Sequence, residues 1–159
     1  MITTVLSFTG RAESCDTNIE INDQYTVQSD GTVTDKVSGL MWMRCRLGES
    51  WDGNQCIGEA IAYDWSDALL MSQTSTFAEH NDWHVPNIKQ LFSMVALNCS
   101  FPAIDETLFP NTGYAAFWSS SHNSANAGEA WTIDFYKGEP VLYAKNRSNY
   151  VRLVRKTAP

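Results

Sequence analysis

Charge is scarce in this chain of 159 residues. Only 18% of the side chains are Asp, Glu, Lys or Arg, and the 11 basic ones are outnumbered by 18 acidic ones. The resulting net charge of −7 argues against general nucleic-acid binding, which needs a basic footprint. Long apolar runs are missing as well. Nothing approaches the roughly 20 residues of a membrane-spanning helix, so no membrane insertion is expected. The chain has no internal repeat, no low-complexity tract and no Pro/Gly-rich linker, so nothing divides it, and its length suits one domain. It also lacks Cys-x-x-Cys and any His pair at finger spacing near a cysteine, which removes the common zinc sites. What it does contain is apolar and aromatic: 43% hydrophobic residues and six Trp, a composition incompatible with a disordered chain, a collagen or a coiled coil.

Its four cysteines are an even number, and without metal spacing they read as disulfides, which form in an oxidising compartment. Of three possible pairings, Cys45–Cys56 clamps a local Gly/Trp/Asn loop and leaves Cys15–Cys99 to tie an N-terminal arm, residues 1–24, to a domain over residues 25–159. A secreted, periplasmic or cell-surface location follows from the cysteines alone. Met1 to Ser14 holds a short apolar stretch with no preceding Lys or Arg and is not a signal-peptide pattern. Charge is uneven along the chain. Residues 1–130 hold 16 acids and 5 bases, whereas residues 131–159 hold 2 acids and 6 bases. That basic end reads either as an anion-binding face or as a segment paired internally with the acidic body.

Tyr25 to Gln28 and Thr32 to Thr34 flank Ser29-Asp30-Gly31, a hairpin signature, and Leu40 to Arg44 follows as a third short strand. Asp64 opens a helix carrying Trp65, Ala68, Leu69 and Ser72, with Asp67 as a capping partner. Asn87 and Gln90 form an Asn-x-x-Gln capping box, with Ile88, Leu91, Phe92 and Val95 on one expected buried face. Residues 98–116 form a long loop with no clear period. Strands are expected at Phe117 to Ser120, Ala130 to Tyr136, Val141 to Arg147 and Tyr150 to Lys156, with a turn at Lys137-Gly138-Glu139-Pro140. The order is that of an α+β fold: two helices packed on a mainly antiparallel sheet, with a long loop region.

Landmarks in a fixed order then point to a family. Asp30-Gly31-Thr32-Val33-Thr34-Asp35 and Gly39-Leu40-Met41-Trp42 are followed by Trp65-Ser66-Asp67-Ala68-Leu69, Asp82-Trp83 and Pro86-Asn87-Ile88-Lys89-Gln90-Leu91. Phe109-Pro110-Asn111, Phe117-Trp118-Ser119-Ser120, Ala130-Trp131, Asp134-Phe135 and Val151-Arg152-Leu153-Val154-Arg155 complete the series. Over roughly residues 25 to 155 the chain resembles the Lcl C-terminal domain family, long catalogued as domain of unknown function 1566. Where the family usually has Trp-Arg-Leu-Pro this chain has Trp83-His84-Val85-Pro86, so no role for that Arg carries over. The resemblance implies a C-type-lectin-like fold. It also implies kinship with a collagen-like bacterial adhesin whose terminal domain binds sulfated glycans. Formylglycine-generating relatives of that scaffold use C-terminal cysteines, and this chain has none after Cys99, which excludes that activity.

No enzyme, metal or cofactor is expected. Ser119-Ser120-Ser121-His122 places neighbours on opposite faces of a strand, unlike a catalytic triad. His80 and His84 flank turn residues and no general-base Glu. Asp30 and Asp35 sit in ordinary turn dipeptides. Trp42, Trp83, Trp118 and Trp131 are expected in the core, and Trp51, within the Cys45–Cys56 loop, either covers the disulfide or stacks on a sugar. Ser119 to Gly128 reads as a small, polar, flexible loop, either an adaptable recognition surface or a plain solvated hairpin loop. The expected function is therefore a non-catalytic, exported ligand-binding module for a glycan or cell-surface protein, with a homo-oligomer allowed. Its binding face comprises His122, Asn123, Asn126, Tyr136, Lys137, Tyr143, Lys145 and Arg147. Lys145 and Arg147 are expected on one face of a strand beside Tyr143, a seat for a sulfated or carboxylated sugar. The rival reading is a structural or assembly module of a bacterial envelope complex with no small-molecule ligand.

Overall fold

The computed structural model describes Cys15 and residues 24–157. Apart from Cys15 and Gln24, the expected arm over residues 1–24 therefore lies outside the described residues. Nine strands and two helices follow in order. They are β1 (Tyr25–Val27), β2 (Thr32–Asp35), β3 (Leu40–Met43), β4 (Ser50–Trp51), β5 (Cys56–Ile57), α1 (Trp65–Ser72), α2 (Ile88–Phe92), β6 (Ala116–His122), β7 (Glu129–Asp134), β8 (Glu139–Ala144) and β9 (Val154–Lys156). They form a mixed α/β fold with three antiparallel sheets, ordered β1-β2-β3-β9, β4-β5 and β6-β7-β8.

Local chemistry accounts for the first hairpin. The Asp30 carboxylate accepts from the Thr32 N–H at 3.0 Å and the Thr32 hydroxyl at 2.7 Å. Gly31 adopts φ +84°, and a Cβ there would lie 2.5 Å from Cγ of Trp51. Only glycine serves both the turn and the close approach. Both helices start where the caps predict. Asp64 accepts from the Asp67 N–H, and Asn87 and Gln90 satisfy each other's backbone in a complete capping box.

The period of two along the strands divides the interior. Leu40 and Trp42 face one apolar cluster with Leu91, Phe109, Phe117, Ile133 and Val154. Their neighbours Met41 and Met43 turn the other way, toward Trp83, Val85, Trp118, Val151 and Leu153. Adjacent residues thus serve opposite cores, as they must on a strand covered on both faces. Residues 149–154 join the sheets. The Trp118 N–H donates to the Tyr150 carbonyl at 2.9 Å, and the Met43 N–H donates to the Leu153 carbonyl at 3.1 Å.

Arg152 lies in this junction, 0% exposed. It donates to the carbonyls of Met43, Arg44 and Pro110 and to the Thr112 hydroxyl, between the rings of Phe109 and Phe117. Burial pushes its pKa down to about 9, helped by Arg46 and Arg44 and opposed by Glu49 and Glu106. It stays charged at neutral pH.

Both expected disulfides form, Cys15–Cys99 and Cys45–Cys56. The long loop is present as well, with no helix or strand between α2 and β6. It is packed, however, burying Ala103, Ile104 and Phe109.

Several expectations need correction. α2 stops at Phe92, with i→i+3 hydrogen bonds closing its end, so Phe92 turns outward and is 45% exposed. Trp131 is half-buried because it faces the outer half of its sheet, opposite the half-buried Leu142. β8 begins at Glu139, so the preceding turn covers residues 135–138 instead of 137–140. β8 also ends at Ala144, which leaves Lys145 to Arg147 in a turn instead of on a strand. The first part of the expected polar loop, Ser119 to His122, belongs to β6, where Ser119 is fully buried. The β6–β7 register shifts between Trp118 and His122, a bulge that lets the strand continue.

Candidate functional site

The β7–β8 hairpin separates the sequence-predicted site residues into two groups. Asp134 pairs with Glu139 near the turn, and Glu129 pairs with Ala144 at the far end. Tyr136 and Lys137 sit in the turn, whereas His122, Asn123, Asn126, Tyr143, Lys145 and Arg147 gather at the other end. Five residue steps of antiparallel strand separate them by about 17 Å. The eight residues therefore do not make one face.

The larger group is built around the turn after β8. The Lys145 N–H donates to the Gly128 carbonyl, the Lys145 carbonyl accepts from the Trp65 N–H at the start of α1, and the Arg147 N–H donates to the Ala144 carbonyl, each at 2.9 Å. That backbone frame fixes where two cations go. Lys145 Nζ sits 4.1 Å from the centre of the Trp65 ring, and the Arg147 guanidinium sits 3.8 Å from the centre of the Tyr143 ring. The three ion pairs among the described residues are Arg46–Glu49, Lys137–Glu139 and Arg155–Asp82, and none includes Lys145 or Arg147. Aromatic faces hold these cations while leaving their N–H groups uncommitted to carboxylates. The two acids of this C-terminal region are used elsewhere: Glu139 meets Lys137 at 3.7 Å, and Asp134 accepts from the Tyr136 N–H.

Tyr143, Ala130 and His122 lie opposite one another across the three strands, so His122 and Tyr143 share a row about 10 Å apart. Asn123 and Asn126 shape the loop between β6 and β7. Asn123 donates to the Glu129 carboxylate at 2.9 Å and accepts from the Ala125 N–H, and Asn126 accepts from the Gly128 N–H. Two serines of β6 are committed too. Ser119 donates to the Trp131 carbonyl, and Ser121 accepts from the Ile88 N–H.

Trp65 is the participant that sequence reading missed. Its position one residue after a helix cap suggests a packing role, and its Nε1–H does donate to the Ser119 carbonyl at 2.8 Å. Only the tertiary contact puts its face under Lys145. Trp51, within the Cys45–Cys56 loop, lies opposite Cys56 across β4 and β5, with its Nε1–H on the Ser29 carbonyl and the Arg44 guanidinium 4.7 Å from its ring centre.

The residues weighed for metal binding have other partners. His80 meets the Trp83 ring, and Asp35 accepts from the Val37 N–H and the Ser38 hydroxyl. Among the described residues no group of three or more His, Cys, Asp or Glu is arranged to hold a metal. A cleft of about 150 Å³ beside Tyr25, Met94 and Phe109 is lined by none of the sequence-predicted site residues. Its Tyr25 phenol is pushed up to about 12, first by burial and then by Asp35 and Asp105.

The fold and this cation–aromatic cluster describe a disulfide-stapled mixed α/β domain with a small charged patch at one end of a three-stranded sheet. By comparison with known families, residues 31–155 match the Lcl C-terminal domain, and the chain belongs to that family. No curated protein matches it.

Proposed function

We propose that this is a non-catalytic, exported module of C-type-lectin-like architecture that recognises an anionic glycan through His122, Tyr143, Lys145 and Arg147, with Trp65 beneath the lysine. The carrying observation is the pair of cations seated on aromatic rings, at 4.1 and 3.8 Å, with no carboxylate partner among the described residues. A sulfate or carboxylate on a sugar supplies the acceptor oxygens that these N–H groups lack. The Trp and Tyr rings hold the cations in place, which lowers the entropy lost on binding. Two disulfides fit an exported protein, since such bonds persist in oxidising compartments. The described residues contain no helix long and apolar enough to cross a membrane.

The acidic body sets the strength. A net charge of −7 repels a polyanion at long range, so binding is weak and falls steeply with salt. A titration with a heparin-derived hexasaccharide tests this at low and at near-physiological ionic strength. Wild type is expected to bind at low salt, and the Lys145→Ala/Arg147→Ala double variant is expected to lose that binding. Equal binding by both proteins, or none by either, removes this face from the proposal.

A further inference from the structure

The other end of the hairpin carries a feature that the anionic-glycan reading leaves unused. Phe101, Tyr114 and Tyr136 are exposed at 43%, 68% and 41%, and Tyr136 touches both of the others. Ring centres lie 4.9 Å apart for Phe101 and Tyr136, and 5.2 Å apart for Tyr114 and Tyr136. Three segments deliver them. Phe101 follows the Cys15–Cys99 disulfide by two residues, Tyr114 lies near the end of the long loop, and Tyr136 stands in the β7–β8 turn.

Each support is specific. Phe101 holds φ +54°, a left-handed conformation that costs a side-chain-bearing residue energy, yet the residue stays exposed. The Glu106 carboxylate fixes the Gly113 N–H at 2.9 Å, next to Tyr114. The Tyr136 N–H donates to Asp134 at 2.8 Å. In the same turn Gly138, at φ +73°, sits so close to the long loop that a Cβ would lie 2.8 Å from Ala103 Cβ. The turn and the loop are thus locked together, with the aromatic trio on their outer side.

The chemistry narrows the ligand. Tyr136 packs against both other rings, which leaves the exposed outer parts of the three as the contact surface. Neither phenol hydroxyl has a hydrogen-bond partner among the described residues, and both are free to bond a ligand. The charges around the trio are acidic or self-paired: Glu106, Asp134 and the Lys137–Glu139 ion pair. A polyanion is therefore disfavoured here. A neutral pyranose fits all three conditions, with a C–H face to lie on the rings and rim hydroxyls for the phenols and carboxylates.

We infer that Phe101, Tyr114 and Tyr136 form a second carbohydrate contact, one that takes the faces of uncharged sugar units. It stands independently of the cation–aromatic cluster, about 17 Å away along β8. A chain with neutral and sulfated units is able to meet both.

The full chain, isotope-labelled, is titrated with three neutral hexasaccharides (cellohexaose, chitohexaose and maltohexaose) to about 10 mM, above the millimolar affinity of a contact this small. At least one sugar is expected to shift the Tyr114 and Tyr136 ring resonances. Tyr114→Ala is expected to weaken that binding about tenfold, the loss of one stacking ring. Tyr114→Phe and Tyr136→Phe keep the stacking face and lose less, which separates contact from folding. Lys145→Ala/Arg147→Ala is expected to bind the neutral sugar unchanged, so failure of the anionic site leaves this result standing. The inference is overturned if none of the three sugars shifts the rings, or if Tyr114→Ala binds like wild type. It is also overturned if tetramethylammonium or a proline-rich peptide shifts the rings where the sugars do not. A fall in light-scattering mass on Tyr114→Ala would overturn it too, because the occupant would then be a second copy of this chain.

Discussion

Arg147 and Arg152 stand five residues apart on one segment and live in opposite environments. Arg152 is sealed in the junction of the sheets, where it organises three carbonyls and a hydroxyl from β3, the residue after it and the long loop. Arg147 lies in an exposed turn on the ring of Tyr143. Both guanidiniums meet aromatic rings, yet only Arg152 has both terminal nitrogens hydrogen-bonded within the fold, its buried Nε having no partner among the described residues. Buried hydrogen-bonded charge is therefore structural here, and surface charge held on a ring is available to a ligand. Chemistry at the level of residue type does not separate these roles; the number of uncommitted donors does.

Substituting Arg152 breaks the comparison most severely. Arg152→Met leaves buried carbonyls without donors, and about 3–5 kcal/mol of stability is expected to be lost, read from the midpoint of urea unfolding. Arg152→Lys is expected to recover little, because a point-like ammonium does not reproduce the planar fork. A loss below about 1 kcal/mol would show that the junction relaxes around the gap. Next comes the Cys45–Cys56 clamp. The double Ser variant opens a short loop and is expected to cost at most about 3 kcal/mol, with the other disulfide intact.

Glu49 sharpens the distinction through pH. Burial would raise its pKa, but hydrogen bonds from the Arg46 side chain and backbone, and from Asn111, outweigh that and hold it below the ordinary 4.5. A carboxylate with a depressed folded-state pKa adds stability above its unfolded value. That stability is lost as the pH falls through the folded value. Glu49→Gln is thus expected to cost about 1–3 kcal/mol at pH 7 and progressively less below pH 4.5, followed by unfolding across an acid series. A gap that stays constant with pH would mean that the carboxylate's charge is irrelevant.

The smallest change in stability is expected at the proposed binding face. Lys145→Ala/Arg147→Ala removes two surface cation–aromatic contacts, worth about 0.5–1 kcal/mol each. Its thermal midpoint should therefore stay close to that of wild type while its binding of the sulfated hexasaccharide disappears. A large drop in the midpoint would move both residues into the structural class occupied by Arg152.

Local signals were legible wherever a few neighbouring residues decide the outcome. Asp30-Gly31 makes its turn, Asp64 and the Asn87–Gln90 box start their helices, and the four cysteines pair as their spacing suggests. Boundaries were less legible. β6 runs on through Ser119 to His122 because Ser119 finds the Trp131 carbonyl across the sheet, and no residue adjacent in sequence announces that partner. β4 and β5 escaped notice for the same reason: at two residues each they carry no period, and their pairing follows from the Cys45–Cys56 closure.

By itself the sequence determined the capped helices, the hairpin turns, the disulfide pairing and an apolar alternation strong enough to build a core. The turns and caps depend on interactions among near neighbours and the core on the period of two along a strand, while the pairing of Cys15 with Cys99, 84 positions apart, follows once the local Cys45–Cys56 clamp is assigned. The tertiary structure alone decided which of two cores each strand residue faces, that Arg152 is buried and Arg147 is not, and that Lys145 rests on Trp65, 80 positions earlier in the chain. It also decided that Phe101, Tyr114 and Tyr136 meet at one end of the hairpin while the cations gather at the other. Such contacts join segments distant in sequence, and each is set by how whole sheets and loops pack together.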